Sequence, residues 1–438
     1  MKLNSISGSL RITVLAALLF SFSQSFAQAP VFHTETLFPN QKYHTHGSTI
    51  VELPNGDMLV GWFQGSGERW ADDVKIMGTR RKKGSKVWSK PFEPADAKDF
   101  PDCNPVLFVD AKKRLWVMWY TVMANQWETS LIRYKYSTNY QTMTGAPKWD
   151  WQDDLLMKPG DKSERGISPN DKFVASVKKQ IEDYGNYLET SLGPQAKAQW
   201  MNSSNRRLSK AKGEDYIRAG FIYNADSSKH EDGQLGYPYF QRMGWQTRNK
   251  PFVTSTGRMI VPLYSDGFSF SIMALTDDLG EHWTFSTPLV AGGNIQPSIA
   301  VKKSGELVAY MRDNGGAPKR LHMSSSFDNG QTWSTVNDSS IPNGGTAADV
   351  VTLKNGHWVI IYNESDRTKI TVALSEDEGK TWGWTKTVIQ GDKISASYPA
   401  IIEGKNDGLL HVSHSFQLPN KLESINYVDF NEAWIKAK

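Results

Sequence analysis

The sequence predicts an all-β protein, a six-bladed arrangement of strands about a central channel, which is a β-propeller, with a partly helical insertion between the second and third blades. Three observations predict it. A short motif occurs three times, a hairpin pattern occurs six times, and one stretch between hairpins is far longer than a repeat unit. A period of roughly 50 residues is the length of one four-stranded blade.

The motif is S/T-x-D-x-G-x-x-W. It runs Thr276 to Trp283, Ser326 to Trp333 and Ser375 to Trp382, which spaces Asp278, Asp328 and Asp377 by 50 and 49 residues. Each part has a mechanical task. The carboxylate accepts backbone N–H groups of its own turn, the Gly supplies positive φ, and the Trp plugs the turn onto the sheet beneath. The motif braces a hairpin and reports fold, not chemistry.

The hairpins share a small or Pro residue, an apolar strand, a polar turn and a second apolar strand. They run from Gly47-Ser48 through Asn55-Gly56 to Trp62, and from Asn104-Pro105 through Lys112-Lys113 to Tyr120. The next two run from Lys250-Pro251 through Thr256-Gly257 to Tyr264, and from Gln296-Pro297 through Ser304-Gly305 to Tyr310. The last two run from Ala347-Ala348 through Asn355-Gly356 to Tyr362, and from Tyr398-Pro399 through Asn406-Asp407-Gly408 to His411. Asn-Gly and Ser-Gly between apolar runs are strong hairpin signals. Pro251, Pro297, Ala348 and Pro399 are 46, 51 and 51 residues apart, leaving room for two more strands per unit.

Ser48 to Pro105 spans 57 residues, one blade, whereas Pro105 to Pro251 spans 146. The excess falls at about residues 153–246. Within it, Phe173, Val174, Val177, Ile181, Tyr184 and Leu188 lie at helical spacing, so Pro169 to Leu192 is predicted as a helix stopped by Gly193-Pro194. Lys197 to Gly236 reads as an elaborated loop crossing one face.

Residues 1–27 read as a secretory signal. Lys2 and Arg11 are its basic region, Ile12 to Phe22 its apolar stretch, and Ser25-Phe26-Ala27 its cleavage site, with the propeller in 28–438. A periplasmic or secreted location is expected. The apolar run is too short to span a bilayer, and no membrane span is expected elsewhere. Cys103 is the only cysteine, so no intrachain disulfide can form. A net charge of +4, spread along the chain, gives no basic patch for nucleic acid. Arg80-Arg81-Lys82-Lys83 reads as a solvated hairpin.

A propeller of this kind offers one natural site, the channel mouth. The blade entrances place His46, Cys103, Asn249, Ile295-Gln296, Ala347 and Ser397-Tyr398 there. Loops after second strands add Gly65 to Asp73, Ser265-Asp266, Arg312-Asp313, Asn363 to Arg367, and His414. This polar ring suits an anionic or polyhydroxylated ligand. His44-x-His46 has the look of a metal pair, but nothing at suitable spacing completes a site, and neither metal nor cofactor is implied.

The braces and blade pattern resemble the bacterial sialidases (neuraminidases) and their BNR-repeat (Asp-box) relatives, over nearly the whole chain after the signal except the insertion. Shared stretches are His46-Gly47-Ser48-Thr49 with Leu53-Pro54-Asn55-Gly56, Asn104-Pro105-Val106-Leu107-Phe108, Gly293-Asn294-Ile295-Gln296-Pro297 and Ser397-Tyr398-Pro399-Ala400. The resemblance implies an arginine triad for a carboxylate, a Tyr nucleophile with a Glu partner, and an Asp acid/base. Tyr398 matches the nucleophile, Arg312 and Arg367 match two of the triad, and Asp72 or Asp73 falls where the acid/base is expected. His46-Gly47-Ser48 stands where the family has Arg-Ile-Pro, and Gln296 stands where it has the activating Glu.

Each residue also has a plainer reading. Tyr398 can be an ordinary strand aromatic, and Arg312 and Arg367 can be partners of Asp313 and Asp366. Asp72 and Asp73 can cap a turn. His46 can be a satisfied channel residue or an acid/base near neutral pH. Gln296, Arg69, Arg248 and Asp266 are expected as sugar contacts. The expected activity is that of an exo-glycosidase removing a terminal acidic sugar, sialic acid or uronic-acid-like, from a glycan or oligosaccharide. The alternatives are a lyase acting on a uronate-containing polysaccharide and a non-catalytic glycan-binding propeller.

Overall fold

A computed structural model describes residues 28–140, 145–160, 171–213 and 239–437. The expected signal segment lies outside them. Strand β1 (Phe32–Thr36) opens the chain. The first blade is β2 (His44–Glu52), β3 (Met58–Gly65), β4 (Lys75–Arg81) and β5 (Phe92–Ala95). The second is β6 (Asp102–Val109), β7 (Leu115–Val122), β8 (Ser130–Ser137) and β9 (Trp151–Leu155). In the third, the first strand is split into β10 (Gln246–Thr247) and β11 (Phe252–Val253), followed by β12 (Met259–Ser265), β13 (Phe270–Thr276) and β14 (Thr284–Phe285). The fourth is β15 (Asn294–Val301), β16 (Leu307–Asp313), β17 (Arg320–Ser326) and β18 (Asn337–Pro342). The fifth is β19 (Asp349–Thr352), β20 (Trp358–Tyr362), β21 (Lys369–Ser375) and β22 (Trp384–Gln390). The sixth is β23 (Ser395–Glu403), β24 (Leu410–Gln417) and β25 (Glu423–Phe430).

β1 supplies the fourth strand of that last blade, pairing antiparallel with β25 from Phe32 opposite Phe430 to Thr36 opposite Asn426. The ring is thus closed by strands from both ends of the described chain. The six hairpins predicted from the sequence are the first and second strands of the six blades.

The three motifs form the turns between third and fourth strands of blades three, four and five. In the second copy, Thr332 N–H and Oγ1 donate to Asp328 at 2.8 and 2.6 Å, and Gly330 N–H donates to Ser326 Oγ at 2.9 Å. The brace turns on two successive left-handed residues, Leu279-Gly280, Asn329-Gly330 and Glu378-Gly379. Blade six has no such motif because β1, not a hairpin, provides its fourth strand.

Blade packing relies on large rings. Trp62, Trp116, Trp119 and Trp358 are fully buried, each contributing roughly 1.5–3 kcal/mol from removal of apolar surface from water. The channel is closed by polar ties between blades. Asn249 Nδ2 donates to the carbonyls of Gln296, Pro297 and Ala348. Asp349 accepts from Lys250, Ser298 Oγ and Ile401 N–H at 2.6–2.8 Å. These bonds satisfy groups that burial would otherwise penalise.

β9 ends at Leu155 and β10 starts at Gln246, so the insertion occupies the chain between them. Helix α1 (Lys172–Leu192) starts where Asp171 caps it, accepting from Phe173 N–H. Phe173, Val177, Ile181 and Tyr184 are buried, and Phe173 packs on Phe268, Phe270 and Trp245 of blade three. One expectation is corrected here. The start of the segment read as a loop is a second helix, α2 (Pro194–Ala211). Pro194 ends α1 yet lies in the first turn of α2, where its missing N–H costs nothing. Trp200 joins the two, donating to the Ile181 carbonyl at 2.8 Å. The remainder, 214–238, lies outside the described residues. A second correction concerns Arg80, which is buried and paired with Asp57 at 2.6 Å rather than solvated.

Candidate active site

Four blades enter the mouth through the same irregularity. The ladders of β2, β6, β15 and β23 with their second strands each slip between the residues flanking the entrance. The residue at each slip, Gly47, Asn104, Gln296 or Tyr398, is left-handed, with φ of 65, 44, 55 and 56°. Such bulges re-aim side chains, and they recur beside active sites. Here they turn Asn104, Gln296 and Tyr398 into the channel mouth. Gly47 stays side-chain-free because a Cβ there would lie 2.5 Å from Asn104 Oδ1.

A cavity of about 480 Å³ results, lined by His46, Phe63, Glu68, Asn104, Tyr120, Trp127, Glu128, Tyr264, Asp266, Gln296, Arg312, Asn314, Arg367 and Tyr398. Its charge is sorted by blade. Blades one to three supply the carboxylates Glu68, Glu128 and Asp266, and blades four and five supply Arg312 and Arg367.

Tyr398 is the centre of the basic half. Its phenol oxygen accepts from Arg312 Nη1 at 3.0 Å and from Gln296 Nε2 at 3.3 Å. The guanidiniums of Arg248 and Arg367 lie 5.0 and 5.4 Å from its ring centroid. The His46 ring packs 4.2 Å from the Tyr398 ring. Burial, then Arg367 and His44, hold His46 well below the usual imidazole range, so it is neutral.

Neither arginine has its plainer role. Asp313 accepts from Gly315 and Arg320 N–H groups, and Asp366 accepts from Thr368. Arg312 instead bonds Tyr398, Gln296 and Asn314. Arg367 donates to no side chain or carbonyl among the described residues, and its exposed guanidinium borders the cavity.

The acidic half corrects the expectation for Asp72 and Asp73. Both are exposed and stand outside the cavity lining. Asp73 accepts from Ser66 N–H and Oγ, and Asp72 accepts from Asn125 Nδ2 at 3.0 Å. They brace the loop, and Glu68 is the carboxylate of that loop which lines the cavity. Asp266, expected as a sugar contact, is recessed at the wall, and burial pushes its carboxyl up to about 6 against the pull of Arg312. Two other expected contacts are displaced. Arg248 is 1 % exposed beneath the floor, donating to the Ser48 and Pro399 carbonyls. Arg69 is held between Trp70 and Trp127, 5.5 and 5.2 Å from their centroids. Cys103 and His414 are fully buried and do not line the cavity.

Asn104 and the phenols Tyr120 and Tyr264 were missed. Asn104 Nδ2 donates to both phenol oxygens, at 3.2 and 3.3 Å, and Gln296 Nε2 lies 3.4 Å from Tyr264. The signal for Asn104 was present, since Asn104-Pro105, Gln296-Pro297 and Tyr398-Pro399 occupy equivalent blade positions.

Residues 56–163 and 190–412 match the BNR repeat-like domain. The chain belongs to that family. The anhydrosialidase of Macrobdella decora is 28% identical over 141 residues, 29% of this chain, and the chain matches only 18% of that protein's length. Among solved structures, a protein of unknown function from Dyadobacter fermentans DSM 18053 superposes with a TM-score of 0.61 at 12% identity, over 91% of this chain and 97% of that one. A leech intramolecular trans-sialidase complexed with 2,7-anhydro-Neu5Ac gives 0.59 at 12% identity, over 92% and 71%. A Trypanosoma rangeli sialidase with 2,3-difluorosialic acid as covalent intermediate gives 0.56 at 13% identity, over 92% and 59%. The chain therefore has the sialidase-like propeller fold.

Proposed function

We propose that the protein is an exported exo-glycosidase that removes a terminal acidic sugar, sialic acid or uronic-acid-like, from glycans. The observation that carries this reading is the environment of Tyr398. Its oxygen receives two N–H donors, two further guanidiniums flank its ring, and a carboxyl raised to about 6 stands in the same cavity.

Arg367, free of protein acceptors among the described residues, and Arg312 bind the substrate carboxylate, a geometry suited to forked guanidiniums. Asp266 donates its proton to the leaving glycosidic oxygen as that bond to the anomeric carbon breaks. Tyr398 oxygen bonds to the anomeric carbon, its proton passing to solvent through the cavity. Water then displaces the tyrosine, giving its proton to the Asp266 carboxylate, and the departing Tyr398 phenolate takes a proton back from solvent, which restores the starting state. A Tyr nucleophile is the known exception to the two-carboxylate pattern of glycosidases. It avoids placing a carboxylate against the substrate's own. Gln296 cannot take the phenol proton, so stabilisation by the arginines replaces a partner base.

His46 favours a second reading. A neutral imidazole packed on Tyr398 can remove a proton beside a uronate carboxylate and eliminate the glycoside. Tyr398→Phe separates activity from structure, because it removes one oxygen and keeps the ring. The nucleophile reading requires loss of turnover on sialylated and uronic-acid-ended oligosaccharides with the fold retained, and full turnover would refute it. Export is inferred from the leader pattern, and a mature protein beginning at Gln28 in the cell envelope or medium is the expected finding.

A further inference from the structure

His44 begins β2, two residues before His46, and faces carboxylates from two other parts of the fold. Its Nδ1 lies 3.1 Å from Glu423 at the start of β25, and its Nε2 lies 3.3 Å from Glu68 on the loop after β3. The two carboxylates are not equivalent. Glu423 is fixed independently, accepting from Thr45 N–H and Gln417 Nε2, both at 2.6 Å. The Glu68 carboxylate has no hydrogen-bond partner but His44 among the described residues, and Glu68 lines the cavity. Glu423 is thus an anchored post, and Glu68 is the group being held.

We infer that His44 is a positioning residue, a charged clasp that fixes Glu68 at the cavity wall, where Glu68 accepts hydrogen bonds from hydroxyl groups of the bound sugar. The inference rests on the reading of the cavity as the glycan site. An acceptor-only group opposite the arginines orients a sugar whose carboxylate occupies the basic half. The clasp also acts on His46, whose ring centroid is 5.6 Å away. The His44 charge is one of those that keep His46 neutral beside Tyr398.

Both ring nitrogens face carboxylates, so the ring is satisfied only when doubly protonated. Burial opposes that charge, and the hydrogen bonds to Glu423 and Glu68 overcome it, raising His44 to about 9. The other charged or titratable groups bordering the same recess are His46, which is neutral, and Arg367, whose charge has the same sign as that on His44. A raised value places the clasp in force below the ordinary imidazole range and releases it as pH rises through about 9.

The test uses the full mature protein labelled at histidine carbons and nitrogens, with the His44 signals assigned by their loss in His44→Gln. His44 in the wild type is expected to stay doubly protonated until about pH 9. In Glu423→Gln, which keeps an oxygen for Thr45 N–H, its midpoint moves at least one pH unit toward neutrality. The rate on pooled sialylated and uronic-acid-ended oligosaccharides, already falling above about pH 6 as Asp266 loses its proton, falls more steeply through the His44 midpoint, and this second alkaline limb shifts with that midpoint. His44→Gln lowers kcat/KM roughly ten- to a hundredfold, the loss of one charge-assisted hydrogen bond, and removes that limb. A wild-type midpoint near 6.5, or one unmoved by Glu423→Gln, overturns the clasp. If the wild type leaves every oligosaccharide unchanged, the glycosidase reading fails while the resonance measurement still decides the clasp. A second limb that stays in place while the His44 midpoint moves shows the clasp exists without serving the reaction, and overturns its positioning role.

Discussion

Gly379→Ala probes the hairpin brace against a built-in reference, Gly305→Ala. Both glycines are left-handed, with φ of 81 and 90°. A Cβ at Gly305 meets nothing within 4 Å, whereas one at Gly379 lies 2.7 Å from both Trp358 Cζ3 and Tyr310 Oη. Those rings are 1 and 2 % exposed and cannot swing away. The backbone cost is shared, roughly 1–2 kcal/mol for an alanine in this region. It is offset by about 0.4–1 kcal/mol because alanine also restricts the unfolded chain. Gly305→Ala should therefore lose at most about 1.5 kcal/mol. Gly379→Ala adds overpacking against rigid rings, about 1–3 kcal/mol more. Urea unfolding followed by tryptophan fluorescence measures both, with the slope held constant and the midpoints compared. Gly330→Ala belongs between them, since its Cβ meets the movable Cδ1 of Ile260 at 2.8 Å. Equal midpoint shifts for Gly379→Ala and Gly305→Ala would refute the packing argument.

Two further predictions concern the cavity. Asp266 is raised to about 6, so its acid form is present below that value and lost above it. Wild-type turnover should fall as pH rises through about 6, and Asp266→Asn should be slower by roughly 10²–10⁴-fold and lack that limb in a pH–rate profile. Arg367→Met should raise KM for an acidic oligosaccharide roughly 10- to 150-fold, the value of a charge-assisted hydrogen bond. Its unfolding midpoint should barely move, because Arg367 donates to no protein acceptor among the described residues.

The fold was legible because its signals are short-range. Asp-x-Gly-x-x-Trp turns and Asn-Gly hairpins carry their own geometry, and their spacing counts blades. The closing strand β1 was not legible, since its partner β25 is almost 400 residues away and the pairing leaves no local mark. The second helix was hidden by Pro194, which ends one helix and begins another equally well. Within the site, Tyr398, Arg312, Arg367 and Gln296 were found through their positions in the repeat. Glu68 was missed although it shares a loop with Asp72 and Asp73. Which of the three faces the cavity depends on the path of that loop, and Asn125 of the next blade, bonded to Asp72 and to the Arg69 carbonyl, helps set it. Arg248 was expected as a sugar contact. The split first strand of blade three instead sends it beneath the floor, where the Ser48 and Pro399 carbonyls receive it.

The central claim is that Tyr398 attacks the anomeric carbon of an acidic sugar and that water completes the cycle. The most direct test is mass spectrometry of products formed by the mature protein from pooled sialylated and uronic-acid-ended oligosaccharides in oxygen-18 water. The account predicts a released acidic sugar carrying the heavy oxygen, and none from Tyr398→Phe. An unsaturated product without the label, or a labelled sugar released equally well by Tyr398→Phe, would contradict it.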